Sequence, residues 1–315
     1  MARYQSILEM IGDTPLLDIS ALSPNRRVSM LAKLEGANPG GSVKDRAALR
    51  MVEEAEKDGS LRPGQQILES SSGNTGIALA MIARVKGYPL KIVLPENVSV
   101  ERRQALDVWA ADIIDSPGSE GSNGAMRRAR ALAEQHPDWW FPYQYGNPAN
   151  PQAHYEGTGP EIWRDCPEVT HFVAGLGTAG TLMGVGRYLK ERNPEVQVWA
   201  VQPPTGEMVD GLKNLDEGFI PPVFTDNDGF DLLDRSKMIG ARESIEWTRR
   251  LTEVGVFAGI SSGAVVAAAA KCAEEIEEGV IVALIADGGW KYLSTGAWTG
   301  DLDEVTERAR RIVYF

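Results

Sequence analysis

The chain has few of the residues that build metal sites and disulfide frameworks. Its 315 residues include only two cysteines, Cys166 and Cys272, and three histidines. Neither residue type forms a closely spaced ligand pair, so we expect no metal site and no disulfide scaffold. Cysteine use of this kind is typical of a reducing compartment, and we expect the protein to be cytoplasmic.

Long apolar runs and an excess of basic residues are missing as well. No stretch of about 18 apolar residues is present, which argues against a membrane-spanning helix, and the N-terminus lacks the pattern of an export signal. The 32 basic residues are outnumbered by 44 acidic ones, which gives a formal net charge of −12. Phosphate backbones are held by basic clusters, so the expected partner is a small molecule and neither nucleic acid nor a membrane.

What the sequence does contain is an alternation of strand-like and helix-like segments from Val28 to Ala286. This alternation is typical of an α/β fold with parallel strands and crossover helices. Four strand–turn–helix units are predicted, with the turns NPGGSVKDR (38–46), SSGNTG (71–76), GLGTAG (175–180) and, after GVFAG as a short strand, ISSG (260–263). Ligands of open parallel sheets bind beyond the carboxyl ends of the strands, so the turns should converge on one crevice.

Lys44 stands among small residues at the start of a predicted helix that ends at Gly59. Desolvation lowers the pKa of a lysine amine, and a neutral amine can form a Schiff base with an aldehyde. Lys44 is therefore a candidate anchor for an aldehyde cofactor. The alternative for a lysine taken alone is a solvated surface position, because most lysines are exposed.

The turn GLGTAG satisfies the dinucleotide pattern GxGxxG. The strand that follows it, however, ends in Gln202 and not in the acidic residue that would hold a ribose. Thr178 and Thr181 add hydroxyl donors to the backbone amides of the turn, which favours a single phosphate group. A tight turn without a ligand is the alternative.

The loop SSGNTG places four side-chain donors and two glycines ahead of an apolar helix. These polar positions exceed what one helix cap needs, so we predict a carboxylate-binding loop, with simple capping by Ser72 or Asn74 as the alternative. A desolvated lysine, a phosphate turn and a carboxylate loop are together what pyridoxal phosphate and an amino acid substrate require.

A family resemblance rests on NPGGSVKDR, SSGNTG, YQYGNPAN, HYEGTGPE, GLGTAGT and AGISSGAV, in this order and spacing. From about Ile7 to Gly296 the chain resembles the cysteine synthase (O-acetylserine sulfhydrylase) family of fold type II pyridoxal phosphate enzymes. The resemblance implies a fold like that of tryptophan synthase β, with two lobes that each hold a mostly parallel twisted sheet flanked by helices. We expect residues 35–145 to form a smaller lobe with the cofactor lysine and the substrate loop. Residues 1–34 and 146–315 should form a larger lobe with the phosphate-binding turn.

The resemblance also implies the roles of the site residues. Lys44 would bind the cofactor, pyridoxal 5′-phosphate, and would later take the Cα proton, while Asn74 would hydrogen-bond the ring hydroxyl. Ser261 matches the position that faces the pyridine nitrogen. A serine cannot keep that nitrogen protonated, which favours β-elimination over transamination. The other assignments are the cofactor-phosphate residues Gly177, Thr178, Ala179, Gly180 and Thr181, and the substrate-binding residues Ser71, Ser72, Thr75, Gln144 and Lys213.

The implied activity is β-replacement on an activated L-serine through an aminoacrylate intermediate, with a sulfur nucleophile adding to give L-cysteine. The chain is similar to the B-type isozyme, and the segments 212–219 and 287–296 resemble the actinobacterial branch that uses O-phosphoserine and a thiocarboxylated sulfur-carrier protein. In that branch an arginine binds the substrate phosphate at the position where this chain has Lys213. Lys213 would then bind the same phosphate, and the alternative is that it is an ordinary surface lysine. O-acetylserine and O-phosphoserine both stay open, as do sulfide, thiosulfate and a carrier thiocarboxylate.

Other activities and partners also stay open at this point. Cystathionine β-synthase or serine/threonine dehydratase activity would use the same lysine, and a nicotinamide oxidoreductase would rest on GLGTAG alone. A non-catalytic partner of serine acetyltransferase is the alternative of another class. We expect a homodimer. The tail RRIVYF (310–315) either folds over the mouth of the site or packs on the surface.

Overall fold

The computed structural model describes residues 3–71 and 73–311. Ser72 and the last four residues of the tail RRIVYF therefore lie outside the described residues. Within them, nine strands form: β1 (Leu16–Asp18), β2 (Val28–Leu34), β3 (Ile67–Ser70), β4 (Leu90–Pro95), β5 (Asp112–Ser116), β6 (His171–Gly175), β7 (Gln197–Gln202), β8 (Arg235–Met238) and β9 (Gly279–Ile285).

The described residues also form twelve α-helices and several shorter helical turns. The α-helices are α1 (Lys44–Asp58), α2 (Asn74–Lys86), α3 (Val100–Val108), α4 (Gly121–Gln135), α5 (Ala149–Ala153), α6 (Gly159–Asp165), α7 (Gly180–Arg192), α8 (Pro222–Thr225), α9 (Gly229–Leu232), α10 (Ala241–Glu253), α11 (Ile260–Glu275) and α12 (Leu302–Arg311). A π-helix, His154–Thr158, joins α5 to α6, and 3₁₀ helices span Ile7–Met10, Ser20–Leu22, Glu35–Ala37, Gly118–Glu120, Leu215–Glu217 and Gly289–Thr295.

The larger sheet has six strands in the order β1-β2-β9-β6-β7-β8, and only the edge strand β1 runs antiparallel to its neighbour. Its central strands are buried on both faces, as the apolar run VIVALI of β9 requires in a parallel sheet. Helices α10 and α11 contribute to the core on one face, and α6 and α7 to the core on the other.

The smaller sheet is parallel throughout, in the order β3-β4-β5. One of its faces packs against α1 and α2, and the other against α4. The helix α1 ends where the apolar spacing predicts, because Gly59 adopts a left-handed φ of 80° that terminates it. The strand predicted at Val28 and the helix predicted at Lys44 are both present, as β2 and α1.

The α/β prediction is confirmed, but the prediction of a fourth strand before ISSG is wrong. GVFAG runs without a strand between α10 and α11, and only Ala258 makes an isolated bridge, to Gly288. The physical reason is that GVFAG lies beside the end of β9, and β9 already has β2 and β6 as its two neighbours, so it offers no edge for GVFAG to join. Ser261 accordingly lies in the first turn of α11 and not in a turn that precedes it.

The division into lobes at residues 35 and 145 stays a prediction. Strands β3 to β5 fall between these two positions, and the six strands of the larger sheet fall outside them. None of the helices in the described part of the chain is long and apolar enough to cross a membrane. The cytoplasmic location stays a prediction.

Candidate active site

A cavity lies beyond the carboxyl ends of strands from both sheets. It is reached by Ser70 at the end of β3, by Gly177 after β6 and by Ala286 after β9. Nine predicted site residues line it: Lys44, Ser71, Asn74, Thr75, Gln144, Gly177, Thr178, Lys213 and Ser261. The turns therefore converge, as the rule for open parallel sheets predicts.

Lys44 is the first residue of α1, and its backbone N–H donates to the hydroxyl of Ser42 at 3.2 Å. Burial lowers the pKa of the Lys44 amine from 10.5 to about 8; nearby Asp287 opposes this shift, and Lys291 adds to it. The preceding loop depends on Gly41, because its φ is 79° and a Cβ atom there would lie 3.2 Å from the indole nitrogen of Trp290. The loop thus delivers an amine with a substantial neutral fraction near pH 8.

The loop that leads into α2 is held by its own donors and acceptors. The Ser71 hydroxyl accepts from the backbone N–H of Gly76 at 3.0 Å and from that of Gly73 at 3.3 Å. The Thr75 hydroxyl donates to Oε1 of Gln144 at 2.6 Å, and both side chains are buried. This pairing joins the loop to the YQYG segment. The position of Ser72 lies outside the described residues.

The glycine-rich turn after β6 ends at the N-terminus of the 13-residue helix α7, where Ala179 adopts a left-handed φ of 69°. Its Thr178 hydroxyl accepts from the side-chain amide of Asn150 at 3.0 Å. A Cβ atom at Gly180 would lie only 2.0 Å from Oδ1 of Asn150, so this glycine is needed for the close approach. The hydroxyl of Thr181 lies 3.3 Å from Nε2 of the buried His154. Backbone amides at a helix N-terminus suit an anion.

Lys213 lies against this cavity and is half-buried. Its ammonium nitrogen is 5.3 Å from the ring centroid of Tyr145 and 5.4 Å from that of Phe219. Burial lowers the pKa of Lys213, and the carboxylate of Glu217 opposes that shift. The role of Lys213 stays a prediction.

Five further side chains around the cavity were not predicted as site residues: Arg102, Asp210, Asp287, Lys291 and Tyr292. Arg102, on α3, forms an ion pair with Asp210. The other three belong to the segment DGGWKY, which directly follows the central strand β9. Polar residues at the carboxyl end of a buried parallel strand are a signal that could have identified them. No comparable signal marks Arg102 or Asp210.

Comparison with known proteins decides the family. Residues 7–287 match the family model described as pyridoxal-phosphate dependent enzyme. Cysteine synthase B of Pseudomonas aeruginosa is 41% identical over 298 residues, which cover 94% of this chain and 98% of the relative. Cysteine synthase B of Salmonella typhimurium is 42% identical over 292 residues, covering 92% and 95% of the two chains. This chain belongs to the cysteine synthase family of pyridoxal-phosphate dependent enzymes.

Solved structures with the same fold agree with this assignment. O-ureido-L-serine synthase aligns with a TM-score of 0.88 at 40% identity, covering 95% of this chain and 96% of the other. A cysteine synthase from Entamoeba histolytica aligns with a TM-score of 0.87 at 33% identity, covering 98% and 96%. The predicted family, its B-type resemblance and its cofactor are confirmed. The chain is a pyridoxal phosphate-dependent cysteine synthase, which replaces the β-substituent of an activated L-serine to give L-cysteine.

The residues present fit this cofactor. The amine of Lys44 has the lowered pKa that suits an aldehyde, and the turn at the start of α7 offers backbone amides to a phosphate. Ser261 places a hydroxyl, not a carboxylate, in the same cavity. The dinucleotide interpretation of GLGTAG is set aside by the family assignment.

Proposed function

We propose that Lys44 anchors the cofactor and that the turn from Gly177 to Thr181 binds its phosphate. Bound pyridoxal phosphate supplies an electron sink that makes the Cα proton of an amino acid acidic. The Lys44 amine would take that proton, because burial lowers its pKa to about 8 and so keeps its neutral form accessible. The shared cavity of Lys44 and the turn supports both roles.

The substrate carboxylate is bound by the loop that begins at Ser71, together with Thr75 and Gln144. With its oxygen accepting from Thr75, Gln144 presents its amide nitrogen as a donor. Ser72 belongs to the same proposal on sequence grounds. Ser261, from α11, faces the pyridine nitrogen with a hydroxyl, which favours loss of the β-substituent over reactions that need a long-lived carbanion.

Our proposal for the substrate concerns Lys213. We propose that its ammonium group binds an anionic β-substituent, so that the enzyme accepts O-phosphoserine in addition to O-acetylserine. The observation that supports this is the half-buried position of Lys213 against the cavity, with its ammonium group beside the rings of Tyr145 and Phe219. A cation partly removed from water interacts more strongly with a phosphate than an exposed one does.

The experiment compares both serine esters in the presence of sulfide, with cysteine formation as the readout. We expect Lys213→Ala to lower kcat/KM for O-phosphoserine about 10-fold to 100-fold and for O-acetylserine by less than about threefold, because the phosphate substituent is anionic and the acetyl substituent is neutral. Lys213→Arg keeps the charge and should keep O-phosphoserine activity. Equal losses on both esters would show that Lys213 does not read the substituent.

Two further features come from the resemblance and stay predictions. A homodimer is expected, which sedimentation velocity of the purified protein tests directly. The sulfur donor is sulfide, thiosulfate or a carrier thiocarboxylate, and partners such as a sulfur-carrier protein or serine acetyltransferase would be found by co-purification.

An O-acetylserine dependent cystathionine β-synthase from Helicobacter pylori shares the fold with a TM-score of 0.84 at 37% identity. Assaying homocysteine as the nucleophile tests that second activity here.

A further inference from the structure

Lys291 is a third lysine beside the cavity, after Lys44 and Lys213, and its side chain is completely buried. Its ammonium group donates to the backbone carbonyl of Gly41 at 2.9 Å and to Oδ1 of Asn74 at 2.6 Å. It lies 3.8 Å from a carboxylate oxygen of Asp287. A buried ammonium group is costly unless it is paired, so these contacts need an explanation beyond packing.

The partners of Asn74 differ in what they can offer. Lysine is only a donor, and it meets the amide oxygen of Asn74. An ionised aspartate is only an acceptor, and Oδ2 of Asp287 accepts from the amide nitrogen of Asn74 at 2.9 Å. The two partners therefore select the same one of the two possible amide orientations.

Asp287 is itself held in place, since its Oδ2 also accepts from the hydroxyl of Tyr292 at 2.6 Å. The side-chain amide nitrogen of Asn74 has two hydrogens, and Asp287 takes one of them. Asn74 lines the cavity. Its second N–H is thus available as a donor to a ligand, whereas the amide oxygen is already engaged by Lys291.

We infer that Lys291 and Asp287 are positioning residues that fix the Asn74 amide with its N–H toward the cofactor ring oxygen. The inference rests on the proposed contact between Asn74 and that oxygen. The same ammonium group also donates to the carbonyl of Gly41, which holds Lys291 in place beside Asn74.

Two substitutions separate the donors of Lys291 from its packing. Lys291→Met removes the donors and keeps an unbranched side chain, whereas Lys291→Arg keeps the donors. For the holoenzyme we expect Lys291→Met to shift the visible absorbance maximum of the bound cofactor and to release the cofactor about tenfold faster after dilution. Lys291→Arg should stay within about threefold of the parent. Lys57→Met, at an exposed lysine, is the matched control.

The Asn74→Ala background decides whether Lys291 acts through Asn74. There, Lys291→Met should change the release rate by less than about twofold, because the amide it orients is gone. A full tenfold effect in that background would overturn the inference. If Asn74→Ala alone changes neither the spectrum nor the release rate, the proposed role of Asn74 fails and the inference fails with it. If Asn74→Ala changes both and Lys291→Met changes neither, only the inference fails.

Asp287→Asn is a second test that does not depend on the folding of the Lys291 variants. An asparagine at 287 can donate as well as accept, so Asn74 loses one of the two groups that fix its orientation. We expect the same direction of spectral shift as for Lys291→Met. An unchanged spectrum in a folded Asp287→Asn holoenzyme contradicts the assignment of Asp287.

Discussion

Glu69 is a fully buried carboxyl group at the end of β3, next to the substrate loop. It accepts from the backbone N–H of Ser70 at 2.8 Å and from that of Gln144 at 3.3 Å. Burial raises its pKa from 4.5 to about 8, against the lowering effect of these N–H groups. Near neutral pH, Glu69 is therefore mainly protonated. It helps to hold the backbone of Gln144, the residue that we predict to bind the substrate carboxylate.

The raised pKa of Glu69 predicts a specific pH dependence of stability. Between about pH 4.5 and 8 the folded state binds more protons at Glu69 than the unfolded chain does, so the free energy of unfolding falls as pH rises through this range. We expect this loss to be on the order of 2 to 4 kcal/mol and to be absent from the pH profile of the Glu69→Gln variant. Urea unfolding at a series of pH values measures it. Parallel pH profiles for the two proteins would contradict the prediction.

Some site residues were predictable because a single short segment of sequence determines their position, and others were not. Lys44 stands in a short loop of small residues ahead of a regular helix, so its position follows from local sequence. The burial of Lys291 depends not only on the neighbouring Asp287 but also on Gly41 and Asn74, which are both distant in the chain. The position of Lys291 after β9 is a local signal for the site, but no local pattern shows that its side chain is buried.

The helix that carries Lys44 is fixed by a buried ionic network. Arg46 pairs with Glu35 at 2.6 Å and with Glu161 at 2.7 Å, and Lys33 contacts Glu161 at 2.7 Å. These residues belong to α1, to the 3₁₀ helix after β2, to α6 and to β2, respectively. The network thus attaches the start of α1 to the larger sheet and sets where Lys44 enters the cavity.

Arg46→Met should destabilise the protein by about 3 to 5 kcal/mol, because it leaves two buried carboxylates without their guanidinium partner. The matched control is Arg164→Met, which breaks exposed ion pairs with Asp13 and Asp165 and should cost less than about 1 kcal/mol. Chemical denaturation of both variants provides the comparison. Similar losses would mean that the buried network does not fix α1.

Most of the helices and strands beside the site were predictable from periodicity, but the incorrect strand at GVFAG shows the limit of that signal. Its apolar residues suit a strand, and Val256 and Ala258 are buried. Whether a strand can form there depends on a free edge in the larger sheet, and the strand order leaves none at β9. Strand order arises from the whole chain and not from the segment itself.

Beside the cavity, side-chain contacts of α3 connect the half of the molecule around the smaller sheet to the half around the larger sheet. Glu101, on α3, accepts from the backbone N–H and the hydroxyl of Ser294 at 2.7 and 2.8 Å. The Ser99 hydroxyl donates to the carbonyl of Lys291 at 3.2 Å, and Arg102 pairs with Asp210. Through α3, the smaller sheet is therefore attached to the 3₁₀ helix Gly289–Thr295, which follows the central strand of the larger one.

Ser294→Ala removes one hydroxyl of this attachment and should loosen α3 locally. We expect amide hydrogen exchange in residues 100–108 and 289–295 to become roughly fivefold faster, with no change in β2 and β9, because one hydrogen bond to a charged group is lost. Exchange followed by mass spectrometry resolves these segments. Thr252→Ala, at an exposed hydroxyl on α10, is the control. Faster exchange throughout the protein would indicate general destabilisation and contradict the prediction.

The central claim, that Lys44 is the cofactor anchor, is tested most directly by borohydride reduction of the holoenzyme. Reduction makes the bond between the cofactor and its lysine permanent, and peptide mass spectrometry then identifies the modified residue. We predict a pyridoxyl group on Lys44 and none on the two other lysines beside the cavity, Lys213 and Lys291. A pyridoxyl group on either of these instead of Lys44 would contradict the account.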